Sequence, residues 1–549
     1  MNILYDCFDP ADKTPFGPVW AGRTCRIRIR IPAECGAYRV AVTAEGLEAA
    51  LTKQGLEGPY DVFSAALVPE RPGLYFYRFH IWDKNGDYDL FRAGNGTNIG
   101  QGDLWQLSVL PADYRPPESY RGAVYYQIFP DRFFKSGDCD LTGKLEPYVL
   151  RDFATFVPRA RNATDFAGGN LRGVMEKLDY IQSLGVKVIY LNPIVMAWSN
   201  HRYDAADYTR VDPMLGTEED FAALCAAVHE RGMRIILDGV FSHTGSHSVY
   251  FDCDGHFGGG AVSAGPDSKY YKWYDFQEFP NKYTAWWGVD VMPCVNELDP
   301  DYMQFILGED GVVATWLRRG ADGFRLDVAD ELPDAFLAAL RRRVKAVDPE
   351  AVVIGEVWED ASNKISYDVR RAYFTGAELD GVINYPFRKA ILDFASGQDD
   401  GRALAATVLS IAEHYPAAAL DCTMAVLGTH DTERVGTLLP EINARRAAAF
   451  LQFALPGSPV IYYGDEAGLT GGRDPMNRLP FPWGREDRDM QALYRELAEM
   501  KNAHPALRTG DVRFEWAEGG IVRFVRSCGE ETVFCELVRD TGAFSVEVC

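Results

Sequence analysis

Three acidic residues, Asp327, Glu356 and Asp431, end the short apolar runs GFRLD, VVIGE and VLGTHD. A carboxylate at the end of a buried strand costs stability, so three in succession point to chemistry rather than packing. Arg325 stands two residues before Asp327, His430 precedes Asp431, and Asp238 and His243 flank the end of another apolar run, RIILDGVF. Alternate residues of a strand share a face, so Arg325 and Asp327 are expected to look into one cavity. The reaction such a set can perform is glycoside hydrolysis with retention. One carboxylate attacks the anomeric carbon while a carboxylic acid protonates the leaving oxygen. Arg325 is expected to hold the pKa of the attacking Asp327 low, while burial and nearby negative charge keep Glu356 protonated. Asp431 is expected to orient hydroxyls and favour the oxocarbenium-like transition state. One strand-end acid alone is as readily a helix cap or a structural ion pair. Three with an arginine and two histidines are not.

The surrounding pattern says what must position them. From about residue 120, buried-strand candidates alternate with helical periodicity: VYYQIF, VKVIYLNP, RIILDGVF, GFRLDV, VVIGEVW, GVINYPF, MAVLGTHD and PVIYYGDE. Residues 171–184 place Leu171, Val174, Met175, Leu178, Ile181 and Leu184 on one helical face, and Thr217 precedes three acids as an N-cap. Eight such alternations over 120–504 fit a (β/α)8 barrel, with the acids at the C-terminal ends of strands four, five and seven. Two intervals are long for barrel loops, 130–170 and 244–300, and the second reads as an inserted subdomain over the barrel mouth. Residues 1–112 show period-two alternation, as in Arg26–Ile31, and predict an N-terminal β-sandwich. PADYRPPE at 111–118 is the linker, and residues 505–549 return to β character as a short C-terminal domain. The fold class expected is therefore α/β, a TIM barrel carrying two β domains.

Composition narrows the partners. A net charge of −23 repels phosphate backbones and anionic lipid, so neither nucleic acid nor a membrane surface is expected as a partner. No run of about 18 apolar residues occurs. The start, MNILYDCFDPADKTP, has no basic segment followed by a long apolar one. The 11 cysteines are odd in number, scattered, and without a CxxC pair, as in a reducing compartment, so a cytoplasmic protein is expected. The 13% aromatic share fits either a large core or a carbohydrate cleft, where flat sugar faces lie on rings.

Four segments in order, DGVFSH (Asp238–His243), GFRLDVADE (Gly323–Glu331), EVW (Glu356–Trp358) and GTHD (Gly428–Asp431), resemble the signature motifs of the α-amylase family of glycoside hydrolases, family 13. VYYQIFPDRF at 124–133 and HRYDAADYTRVDP at 201–213 resemble its opening strand and second strand-end loop, so the resemblance covers roughly 120–505. It implies that Asp327 is the nucleophile, Glu356 the acid/base and Asp431 the transition-state stabiliser. It also implies that Arg325, His243 and His430 bind the sugar at the cleavage subsite, with Asp238 in support. Tyr203 would be the stacking platform, with a core aromatic as the alternative. The N-terminal β domain, MPCVN (Met292–Asn296) and Trp358 resemble the neopullulanase, cyclomaltodextrinase and maltogenic amylase subgroup. On that likeness Trp358 separates the leaving-group subsites, and Asp474 and Arg478 contact sugar further from the cut.

The expected activity is hydrolysis of α-1,4 bonds in malto-oligosaccharides, cyclodextrins, pullulan or starch, with some transglycosylation. Alternatives are a 4-α-glucanotransferase, an α-1,6-acting debranching enzyme, or a non-catalytic glucan-binding barrel. The last is disfavoured because all three acids are present. The subgroup implies homodimerisation or starch binding through the N-terminal domain, whose Trp20, Trp82 and Trp105 also suit plain core packing. No cofactor is required. For the loop offering Asp138, Asp140 and the Gly169 carbonyl, two readings stand: a calcium site, as in the subgroup, and a solvated polar loop. Ser136 and Asn170 there, Ser242 before His243, Thr429 before His430, and Asp330 depart from the family pattern.

Overall fold

The computed structural model describes residues 4–94, 96–160 and 163–549. The chain forms two compact units. The first joins Met1–Arg115 with Asp360–Glu378 and Ala406–Leu420. In its strand Cys25–Pro32, Ile27, Ile29 and Ile31 are fully buried while Arg26, Arg28 and Arg30 alternate on the other face, which is why the period-two pattern folds as a strand. Strand Leu47–Glu57 pairs with Arg39–Ala44 through Leu47–Leu51 and with Tyr60–Leu67 through Thr52–Glu57. It thus passes from one layer to the other. Ile29 and Phe63 from one layer and Val40, Phe79 and Trp105 from the other share a single core, the expected sandwich.

The second unit contains Pro116–Glu359, Leu379–Ala405 and Asp421–Cys549. Its eight barrel strands are β1 (Tyr125–Ile128), β2 (Val188–Leu191), β3 (Arg234–Gly239), β4 (Gly323–Leu326), β5 (Val352–Gly355), β6 (Gly381–Val382), β7 (Met424–Val426) and β8 (Ser458–Tyr462). They lie in the order β6-β5-β4-β3-β2-β1-β8-β7, all parallel. A parallel bridge from Ile383 to Met424 closes the ring, with Asn384 N–H donating to Met424 O at 2.8 Å. Tyr125, Tyr190, Ile236, Ile354, Met424 and Val460 fill the barrel core. Strands buried inside by these residues and outside by helices need apolar side chains on both faces, hence the continuous apolar runs in the sequence.

Helix Glu218–Glu230 starts with a capping box, Thr217 and Asp220 each bonding the other's backbone N–H. The 171–184 helix is divided at Lys177 (φ −104°) into Leu171–Glu176 and Leu178–Ser183, yet Leu171, Val174, Leu178 and Ile181 all remain buried. Gly323 is one glycine the fold requires: at φ +150°, a Cβ there would lie 2.3 Å from Val352 O. That close approach sets β4 against β5 just below the two acids.

The insertion after β3 holds a small hairpin, Phe276–Glu278 with Lys282–Tyr283, and short 3-10 turns. Its two ends are stitched together: Thr244 N–H donates to Pro293 O (3.1 Å), Ser246 N–H to Val291 O (3.0 Å) and Val295 N–H to Ser242 O (3.1 Å). The C-terminal segment is a four-stranded antiparallel meander, Asp511–Glu518, Ile521–Cys528, Glu531–Val538 and Ala543–Val548. Among the described residues no helix is long and apolar enough to cross a membrane.

Candidate active site

At the C-terminal ends of the strands lies a cavity of about 400 Å³ lined by Asp327, Glu356, Asp431, Tyr203, His243, Trp358, Asp474 and Arg478. Eight of the eleven residues expected to handle substrate therefore meet in one cleft, although the segments after β2, β3, β4, β5, β7 and β8 deliver them from distant parts of the chain. Arg325, Asp238 and His430 do not line it. Arg325 is fully buried behind the wall, where its Nη1 donates to Asp238 Oδ1 (2.7 Å) and Asp327 Oδ1 (2.9 Å) and its Nη2 pairs with Glu356 Oε2 (2.8 Å). One guanidinium thus ties three carboxylates from three adjacent strands. Glu356 also accepts from Val328 N–H at Oε2 (2.8 Å) and from Trp358 Nε1 at Oε1 (3.2 Å).

Asp238 and His430 belong to a network that holds Tyr203. Gln127 Nε2 lies 2.8 Å from His430 Nδ1, so that nitrogen accepts and the ring proton sits on Nε2. Nε2 is then a donor to the Tyr203 hydroxyl and lies 3.1 Å from Asp431 Oδ2. Tyr203 Oη also accepts from Asn192 Nδ2 (3.0 Å) and donates to Asp238 Oδ2 (2.8 Å), which takes a second bond from Tyr190 Oη (2.6 Å). The Tyr203 and His430 rings lie parallel, 5.3 Å apart at 5°. Gln127, Tyr190 and Asn192 were not singled out in the sequence. Nothing local marks them, because each acts through a residue far away in the chain.

His243 lines the cavity, but its ring nitrogens are engaged within the protein. Nε2 faces Tyr203 O at 3.1 Å and Nδ1 faces Ser242 Oγ at 3.0 Å. The Tyr203 carbonyl, which can only accept, settles the tautomer: Nε2–H donates to it, and the hydroxyl of Ser242, standing in place of asparagine, then donates to Nδ1. His201, also in the wall, accepts from Tyr203 N–H at Nδ1 (3.2 Å). Burial pushes the pKa of His243 down to about 4 and that of His201 to about 3, and it holds His430 well below the usual range. All three are neutral at pH 7.

The expectation that Arg325 keeps the Asp327 pKa low is overturned. Burial, with Glu356, Asp238 and Asp431 nearby, outweighs the single guanidinium and raises Asp327 well above the usual carboxylate range. Asp431 faces the cavity with its side chain 29% accessible, yet it lies deep in the cleft, and burial first and Glu356 second raise it to about 7. Asp327 and Asp431 both feel the neighbouring carboxylates, so their titration belongs to the pair rather than to either residue.

Toward the mouth, Trp358 stacks on Tyr385 at 3.9 Å and 4° and remains 46% exposed. Opposite it a ladder runs outward from His243: Trp286 at 5.9 Å, then Trp287 stacked on Trp286 at 5.3 Å and 12°. Trp287 donates from Nε1 to Glu331 (3.2 Å), and Asp330 and Glu331 both line the wall. Arg478 pairs with Asp474 at 3.0 Å and approaches Asp431 at 3.6 Å. Trp286 and Trp287 stand out in the sequence within the aromatic-rich 244–300 insertion, though not their stacking on each other.

The early loop is arranged differently from a calcium cage. Asp138 is paired with Lys135 at 3.6 Å, Asp140 Oδ1 accepts from Thr142 N–H at 2.9 Å, and Asn170 Oδ1 caps a helix through Gly173 N–H at 2.8 Å. Gly169 approaches the backbone of Pro130 and Asp131, where a Cβ would lie 2.2 Å from Pro130 O. A lysine beside the donors and an amide oxygen already engaged do not fit a bound calcium, so no step below passes through one.

A closed parallel barrel with an acid-lined cleft at its C-terminal face defines a (β/α)8 protein whose carboxylates gather where such barrels carry their active sites. Residues 127–510 match the alpha amylase catalytic domain. The chain belongs to the α-amylase family of glycoside hydrolases. It is 33% identical to an amylopullulanase of Thermoanaerobacter thermohydrosulfuricus over 96% of this chain and 40% of that protein. It is 31% identical to neopullulanase 2 of Thermoactinomyces vulgaris over 92% of this chain and 87% of that protein. Among solved structures, the type III pullulan hydrolase from Thermococcus kodakarensis superposes with a TM-score of 0.70 at 26% identity, over 98% of this chain and 94% of that one. The chain spans less than half the length of the amylopullulanases it matches.

Proposed function

We propose that this chain is a retaining glycosidase that cleaves α-1,4-glucosidic bonds of malto-oligosaccharides, cyclodextrins or pullulan. Asp327 attacks the anomeric carbon, Glu356 protonates the leaving oxygen and then activates water, and Asp431 steadies the oxocarbenium-like transition state. The observation that carries this reading is the Arg325 bridge, which joins Asp327 just after β4 to Glu356 just after β5 on one cavity that Asp431 also lines. Tyr203 is the platform for the sugar before the cut. Trp358 flanks the leaving group, and Asp474 and Arg478 hold sugar further away. Arg325, Asp238 and His430 act through other side chains as positioning residues.

The test is product chromatography from cyclodextrin, pullulan, starch and maltotriose, together with the anomeric configuration of the first product by NMR. Glu356→Gln is expected to lower kcat by about 10²–10⁴-fold with these substrates, the usual contribution of a positioned acid. Near-wild-type turnover by that variant, or inversion at the anomeric carbon, contradicts the assignment. The same chromatograms separate hydrolysis from transfer and α-1,4 from α-1,6 cleavage. Eleven unpaired cysteines suit a reducing compartment, and the proposal extends to the cytoplasm. It extends also to self-association through the N-terminal sheet, which sedimentation velocity tests.

A further inference from the structure

Outside the catalytic cavity, the insertion after β3 brings together an imidazole, a thiol and a carboxylate. His247, Cys253 and Asp254 place one ligand atom each within 4.8 Å of the others. His247 Nδ1 lies 3.2 Å from Asp254 Oδ2 and 3.6 Å from Cys253 Sγ. We propose that these three residues form a binding site for a thiophilic divalent cation of the zinc class, with water in the fourth position.

The spacing supports this. A tetrahedral ion holding a nitrogen at ~2.1 Å and a thiolate at ~2.3 Å separates those two donors by roughly 3.6 Å, and nitrogen from carboxylate oxygen by roughly 3.4 Å. The observed nitrogen–sulfur distance equals the first edge and the nitrogen–oxygen distance falls slightly inside the second, so small side-chain rotations complete the shell. The donor set is nitrogen, sulfur and one oxygen, which selects zinc over calcium or magnesium. Cys253 and Asp254 are exposed, so an ion can enter from solvent and water can complete the shell. As the metal–sulfur bond forms, the thiol proton leaves to solvent.

The site sits where a cross-link has a consequence. His247 is four residues beyond His243 of the cavity wall. Cys253 N–H donates to Ser246 O (3.0 Å), and Ser246 N–H donates to Val291 O (3.0 Å), next to Met292 of the wall. An ion joining His247 to Cys253 and Asp254 closes this loop upon the stitch that carries Met292 and, through its bond to Met292 O, Trp286. None of the three ligands lines the cavity, so the ion takes no part in the bond-breaking step.

The experiment uses the full chain, stripped of metal and dialysed against Zn²⁺ or Co²⁺. One equivalent is expected to remain bound. The cobalt form is expected to show thiolate-to-metal charge transfer and the intense visible bands of tetrahedral coordination. Cys253→Ser abolishes the charge transfer, His247→Ala weakens binding by at least about tenfold, and Cys549→Ser changes neither. Added Zn²⁺ raises the Tm of the wild type and leaves that of Cys253→Ser unmoved. Metal-free melting and circular dichroism confirm that each variant is folded. No equivalent retained by the wild type, or a cobalt spectrum that Cys253→Ser leaves intact, overturns the proposal.

Discussion

Val328 donates its backbone N–H to Glu356 Oε2 at 2.8 Å, and it does so from a left-handed backbone with φ 37° and ψ 61°. A β-branched residue in that region is strained by about 1–2 kcal/mol. The strain sits one residue after Asp327, and the reversal it makes returns the chain so that Ala329 N–H meets Glu356 O at 3.1 Å. The turn after β4 therefore positions the side chain at the end of β5.

Val328→Gly relaxes that turn while keeping the donor. Relief of strain and loss of packing oppose each other, so stability should change by less than about 1 kcal/mol. A looser donor should lower kcat about tenfold with KM little changed. Urea melts and steady-state kinetics on maltotriose check both. An unaltered kcat would show that the turn does not position Glu356.

Arg325 is the only cation contacting Asp238, Asp327 and Glu356 among the described ion pairs. Arg325→Met leaves them uncompensated and is expected to cost about 3–5 kcal/mol at pH 7. The deficit should shrink as pH falls from 7 to 4, because burial raises Asp327 well above the usual carboxylate range and its charge is lost first. Denaturant midpoints at the two pH values measure it. Equal losses at both would assign Arg325 a packing role alone.

Asp431 has its pKa raised to about 7 in the folded protein, against an ordinary value of 3.8. A raised carboxylate binds its proton more tightly when folded, so its contribution is present below pH 4 and is lost as pH rises through 7. Asp431→Asn is thus expected to be more stable than the wild type at pH 8, by on the order of 2 kcal/mol once cleft water is allowed for. The two proteins should converge toward pH 4. A stability difference independent of pH refutes the shift.

Trp287 is 78% exposed on the insertion and stacked on Trp286. Trp287→Ala should leave stability within about 0.5 kcal/mol. Loss of one aromatic face for a sugar, at about 1–2 kcal/mol, should raise KM for malto-oligosaccharides about 5–30-fold. KM for a short aryl glucoside should hold steady. If both KM values move together, the pair acts at the cleavage subsite instead of the mouth.

The barrel was legible because each buried strand had to be apolar on both faces and helical periodicity separated most of the runs. Asp327, Glu356 and Asp431 stood out because a carboxylate ending such a run lacks a local partner. Gln127, Tyr190 and Asn192 did not, since their side chains are polar punctuation until tertiary contact brings Tyr203 and His430 to them. The sign of the Asp327 shift was misread because the sequence shows the adjacent arginine but neither the depth of burial nor the two other carboxylates, Asp238 and Glu356, that share the same guanidinium. The cluster of His247, Cys253 and Asp254 escaped for a similar reason: a loop fold, not a ligand spacing along the chain, gathers it.

The first unit includes chain from well beyond residue 115. Gln106 Nε2 bonds Ser362 Oγ at 3.0 Å, Ser108 Oγ bonds His414 O at 3.2 Å, and Lys13 pairs with Glu413 where both side chains are almost wholly enclosed. Trimming the protein to begin at residue 116 would strand an acid stripped of its counter-ion and leave Asp360–Glu378 and Ala406–Leu420 without the sheet they fold against. The amino-terminal layer is masonry for the later chain, and a shortened enzyme should come out insoluble rather than merely slower.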